Sequence, residues 1–172
     1  MFFSKPYNIF KVKDHLKNKE RILKRISITG YPFNINNGQA RISKTDWGVD
    51  TTEWYSFGLS QGDREGYEKF ISKKYKCNSA VVNSWFNQYD PYSASSHPWH
   101  DHPKSALTNV YFVELEDKSL GTVLKNPKTG KDINVRVEEG QILTFHASIM
   151  HKSPKNLTNS RKTVISFNTR FV

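Results

Sequence analysis

From residue 78 onward the chain is a succession of short runs rich in β-branched and aromatic residues: NSAVVNSWFNQY, ALTNVYFVELE, SLGTVL, INVRV, GQILTFHA and RKTVISFNTRF. Residues of this kind fit a pleated, half-buried surface, so each run is expected to form a strand. Turn chemistry separates them, as in Asn126-Pro127-Lys128-Thr129-Gly130 and Glu139-Gly140, where Asn, Pro and Gly supply the dihedrals of a reversal. Further strand candidates lie at 27–35 and 53–59. So many short strands suggest a double-sheet jelly roll or a barrel.

Two helices interrupt the first half. Over 12–26, Val12, Leu16, Leu23 and Ile26 fall near one stripe among lysines, the pattern of an amphipathic helix. Over 63–75, Tyr67, Phe70, Ile71 and Tyr75 recur at helical spacing, and Ser60 with Asp63 resembles a capping box. The expected fold class is α+β, mainly β: a double-stranded β-helix (jelly roll) with the two helices of the N-terminal half packed on one face. One domain is expected over 1–172, with 1–77 as a helical and strand extension and 78–172 as the core.

Composition narrows the function classes. No apolar run approaches the ~20 residues needed to cross a bilayer. The start, MFFSKPYNIF, reads as mature protein because it lacks the charged region and cleavage site of a signal peptide. A single cysteine, Cys77, excludes an internal disulfide and fits a reducing compartment, hence a cytoplasmic expectation. The net charge of +10 favours association with nucleic acid, acidic lipid or an acidic substrate. Its lysines and arginines are spread widely, however, as on a solvated basic surface.

The stretch His97-Pro-Trp-His-Asp-His-Pro-Lys-Ser105 holds three of the six histidines. In an extended segment His100 and His102 point the same way and Asp101 the other. Two such imidazoles are a pair of nitrogen donors for a divalent transition metal. A third must come from His97, His146 or His151. If the segment leaves extended geometry near Pro103, Asp101 turns in instead and His102 supports a ligand from behind. Taken alone, His97 reads as a loop residue, His146 as a partly buried strand residue and His15 as a surface one.

The order of elements over 78–172 resembles the Fe(II)- and 2-oxoglutarate-dependent oxygenases, in particular small members from bacteria and marine phages. The residues that carry the resemblance are Trp85-Phe-Asn-Gln-Tyr89, His100-Asp-His-Pro-Lys-Ser105, Asn109-Val-Tyr-Phe-Val113, Gly140-Gln-Ile-Leu-Thr-Phe145, His151 and Arg161-Lys-Thr-Val-Ile-Ser-Phe-Asn168. Fainter similarity falls on Lys44-Thr-Asp-Trp47.

That resemblance implies the cofactors Fe(II) and 2-oxoglutarate, and hydroxylation of an unknown substrate with release of succinate and CO2. It implies His100 and His151 as metal ligands, with His102, or Asp101 as the alternative, completing the site. It also implies Arg161 as the partner of the far carboxylate of 2-oxoglutarate, helped by the Thr163 hydroxyl, with Tyr89 near the cosubstrate. Arginine suits the role because its planar fork binds a carboxylate bidentately. Trp85, Tyr111, Phe145 and Phe167 are candidate lining residues. If the chain is virus-encoded, it would work in the host cytoplasm. Protein or peptide, nucleic acid and small molecules all remain open as substrates. Two rivals share the fold: a three-histidine cupin-type dioxygenase that does not use 2-oxoglutarate, and a non-catalytic basic adaptor.

Overall fold

The structure is a computed structural model that describes residues 5–29, 40–42 and 52–172. Two antiparallel sheets face each other. The larger holds β1 (Tyr7–Lys11), β8 (Gln141–His146), β5 (Leu107–Leu115), β10 (Lys162–Phe171), β3 (Ser79–Tyr89) and β2 (Ala40–Ile42), in that spatial order. The smaller holds β4 (His97–His100), β9 (His151–Ser153), β6 (Val123–Lys125) and β7 (Asp132–Asn134). Helices α1 (His15–Thr29), α2 (Glu53–Gly58) and α3 (Gln61–Tyr75) lie against the larger sheet.

Both faces of the larger sheet are buried, and they carry separate cores. Outward, Ile22, Ile26, Trp54, Tyr67 and Ile71 of the helices pack on Phe86, Tyr111, Ile165 and Phe167. Inward, Val110, Phe112, Leu143, Phe145 and Val164 pack on Leu120, Leu124, Val135 and Val137 beneath the smaller sheet. Residues therefore alternate between the helix side and the inter-sheet side along each central strand, as a pleat requires. On β10, Thr163, Ile165 and Phe167 have one parity, shared by Arg161 just before the strand, and Lys162, Val164 and Ser166 the other.

The jelly roll and its helical cover agree with the sequence, with local differences. The stretch 53–59 is helix, because Trp54 and Tyr55 bury against β3 and β10 as one helical face. Of 27–35, residues 27–29 end α1 and the remainder lies outside the described residues, as does Lys44–Trp47. Leu16 is 78% exposed, and the buried stripe of α1 runs instead through Ile22 and Ile26. Ser60 caps α3 by accepting from the Asp63 N–H at 3.2 Å. Asp63 in turn accepts from the Lys13 N–H, the Asp14 N–H and the Asn18 amide, which ties the starts of the two long helices together. His15 is not on the surface: it is held between the Tyr111 hydroxyl at 2.8 Å and Glu139 at 3.1 Å. None of the described helices is long and apolar enough to cross a membrane.

Candidate metal centre

Four histidines, His97, His100, His102 and His151, line one partly open cavity between the sheets. His151 opens β9 and lies directly opposite His100 at the end of β4. Cross-strand partners share a face, and the two ring centroids are 4.1 Å apart. His102 lies beyond β4, where its N–H donates to the Ala147 carbonyl and its own carbonyl accepts from the Ser105 N–H. This turn brings its ring to 5.1 Å from His100 and 5.3 Å from His151. One ligand atom from each of the three lies within 4.8 Å of the others. Asp101 is exposed and does not line the cavity. His146 is also exposed, with Nδ1 2.8 Å from the Ser148 hydroxyl.

Hydrogen bonds select which nitrogens face inward. Nδ1 of His100 is 2.7 Å from the Pro98 carbonyl, and Nδ1 of His151 is 3.0 Å from the Ile149 carbonyl. A carbonyl only accepts, so Nδ1 carries the hydrogen in both rings and Nε2 keeps its lone pair. Nε2 of His102 is buried with no partner. Burial pulls the His151 pKa down to about 2 and that of His102 to about 4, and it lowers His100 as well. All three are neutral imidazoles at pH 7. Their charge state, convergence and one orphaned lone pair fit a divalent transition ion such as Fe(II). Phe145 packs against the His151 ring at 4.8 Å and Trp85 against His102 at 5.6 Å, which holds both rings in place.

Below the histidines the cavity contains a buried cation. Lys162 is 2% exposed. Its Nζ donates to the Leu120 carbonyl at 2.6 Å and the Ser153 hydroxyl at 2.8 Å, and it sits 5.3 Å from the Tyr89 ring centroid. Among the described residues no carboxylate pairs with it, and burial lowers its pKa to about 7. An ammonium has three N–H groups, so one remains for a ligand.

Lys162, and not Arg161, faces the cavity. Arg161 is exposed on the other face of β10, where Nε and Nη2 donate to Glu114 at 3.0 and 2.8 Å. Thr163 is buried on that same face and bonds Glu114 and Gln88. The reason is parity, since both alternate with Lys162 along the strand. Tyr89 lies opposite Lys162 and does line the cavity. So does Trp85, whereas Tyr111 and Phe167 belong to the helix side. Lys162 escaped the sequence reading; His97, weighed there as a third ligand or a loop residue, lines the cavity but is not one of the three residues whose ligand atoms converge. The available signal for Lys162 was its shared parity with Val164 and Ser166, which helps only once the inward face is known.

No protein-family model matches the chain, and no curated protein matches it. Solved structures do. A viral collagen prolyl hydroxylase from Paramecium bursaria Chlorella virus-1, in complex with 2-oxoglutarate, superposes with a TM-score of 0.62 at 13% identity, covering 98% of this chain and 97% of that one. The fold is that of the 2-oxoglutarate oxygenases. A prolyl-4-hydroxylase from Pseudomonas putida gives 0.62 at 11% identity over 96% and 92% of the two chains. A 2OG-Fe(II) oxygenase-family protein from Burkholderia pseudomallei gives 0.64 at 10% over 94% of each. On this fold the histidine cluster and Lys162 share the space between the two sheets.

Proposed function

We propose that the chain is a non-haem, Fe(II)- and 2-oxoglutarate-dependent dioxygenase that hydroxylates a C–H bond of its substrate. One observation carries this reading: three convergent neutral imidazoles and a buried cation with no counter-charge among the described residues line the same cavity. A buried ammonium lacking an anion is costly, and a dicarboxylate reaching from a metal to Lys162 relieves that cost. When bound, Fe(II) and 2-oxoglutarate supply dioxygen activation, with succinate and CO2 as co-products.

The chain's own residues do the rest. His100, His102 and His151 would hold the ion, the first and last through Nε2 because the Pro98 and Ile149 carbonyls engage their Nδ1 atoms. Lys162 binds the far carboxylate, and its ammonium is kept in place by Leu120 and Ser153. Phe112, Val110 and Val164 present apolar surface next to the diacid and keep that end dry. Desolvation strengthens the pairing of Lys162 with an anion.

The three-imidazole donor set, with no carboxylate among the described residues, also suits a cupin-type dioxygenase that needs no 2-oxoglutarate. The test is anaerobic loading with Fe(II), followed by oxygen with and without 2-oxoglutarate. Succinate released in proportion to 2-oxoglutarate consumed supports the proposal. Metal-dependent oxygen uptake that ignores 2-oxoglutarate favours the cupin-type reading, and no oxygen uptake at all favours an adaptor.

A further inference from the structure

A fourth imidazole in the cavity, that of His97, is not one of the three whose ligand atoms converge. His97 and His100 are three residues apart, an odd spacing that sends side chains to opposite faces of a regular strand. Here the β4–β9 register is irregular between them, so that His97 lies opposite Ser153 while His100 lies opposite His151. Irregularities of this kind re-aim side chains beside functional sites. Both rings face the cavity as a result, with centroids 4.2 Å apart. Ser153, the partner of His97, is the residue whose hydroxyl accepts from Lys162. His97 is thus placed beside both the histidine centre and the buried ammonium. Its Nδ1 is buried with no hydrogen-bond partner, and His97 is not among the three residues whose ligand atoms converge.

We propose that His97 is a cosubstrate-positioning residue: its ring N–H donates to a carboxylate oxygen of the dicarboxylate that spans the histidine centre and Lys162. This rests on the 2-oxoglutarate reading above. The orphaned nitrogen explains why an irregular strand retains a second inward imidazole, since a buried polar group is kept where a partner arrives.

The test is calorimetric binding of 2-oxoglutarate to the anaerobic Ni(II)-loaded protein, with Ni(II) affinity measured separately by competition. His97→Leu removes the donor, and His97→Asn restores one near the position of Nδ1. The expected result is binding of 2-oxoglutarate weakened about tenfold to hundredfold in His97→Leu, with Ni(II) affinity unchanged and most of the loss recovered in His97→Asn. Circular dichroism verifies that each variant is folded. Equal 2-oxoglutarate affinity in His97→Leu and wild type overturns the proposal. So does a loss of Ni(II) as severe as that of His151→Ala, which would make His97 a ligand. Failure of the wild-type Ni(II) protein to bind 2-oxoglutarate removes the cosubstrate reading itself, an outcome visible before any variant is compared.

Discussion

Arg161 and Lys162 are neighbours in sequence, yet the two faces of β10 treat their charges in opposite ways. On the helix side Arg161 is neutralised by a two-pronged contact with Glu114, and Thr163 joins the same carboxylate. The Tyr67 hydroxyl donates to Asn109 at 2.5 Å, and Asn109 donates to the Phe167 carbonyl. Gln88 Oε1 and Thr169 Oγ1, on this side, are buried without a partner among the described residues. Facing the smaller sheet, Lys162 has no counter-charge among the described residues, and His97 Nδ1 and His102 Nε2 have no partner among them. Each unsatisfied buried group costs about 1–3 kcal/mol, so the inner face is costly until something binds there. What sets the inner face apart is that its open groups, an ammonium and two imidazole nitrogens, converge on one cavity where a single ligand can reach them.

The contrast breaks most visibly at the ion. Replacing His151 by Ala removes one of three donors and should abolish stoichiometric Fe(II) binding, measured by equilibrium dialysis against metal-buffered solutions. Tight iron retained in that variant would mean that other groups hold it. Next in size is the comparison across β10. Lys162→Met should weaken 2-oxoglutarate by about thirtyfold to a thousandfold, the scale of losing a buried charged partner. Arg161→Leu should leave that affinity unchanged and lower stability by about 1 kcal/mol or less, because the pair is partly exposed. The reverse ranking in a binding titration would return the anchor role to Arg161.

The apo-protein should also show the inner face in its pH dependence. Lys162 titrates near 7 in the fold and near its ordinary 10.5 when unfolded. Between those values the unfolded chain holds a proton that the fold has released, so stability rises with pH across this window, while below about pH 7 the full cost of the buried charge is present. The displacement is worth about 1.4 kcal/mol per unit, a few kcal/mol in all, and Lys162→Met should flatten this limb of a denaturation series. Burial of the neutral histidines acts below their ordinary 6.5, where stability falls as pH falls. A flat wild-type profile from pH 7 to 10 would show that Lys162 already has a counter-ion.

The smallest effect on ligand binding belongs to the scaffold. Gly140 has φ +82°, and a Cβ there would come within 2.9 Å of the His15 ring. Gly140→Ala should cost about 1–3 kcal/mol without changing Ni(II) or 2-oxoglutarate affinity. A loss of cosubstrate binding in that variant would show that the two faces are coupled.

Sequence patterning located β3, β5, β8 and β10 because each is a long β-branched and aromatic run, and it located the start of α3 because Ser60 and Asp63 act locally. It read 53–59 as strand because Trp54, Tyr55 and Phe57 have strand propensity, which burial against the sheet overrode. The short strands that carry the histidines, HPWH and HKS, are too brief for any periodicity to register. His100, His102 and His151 were legible as a group through residue type and order.

By itself, then, the chain specified a two-sheet β fold with helical cover and a set of histidines from which a metal centre could be built. Tertiary structure alone decided that β10 turns Lys162, and not Arg161, towards them. A strand buried on both sides reads as apolar on both parities, as Val164, Ile165 and Phe167 do here. Which side faces the cavity is set by the helices on one face and the second sheet on the other.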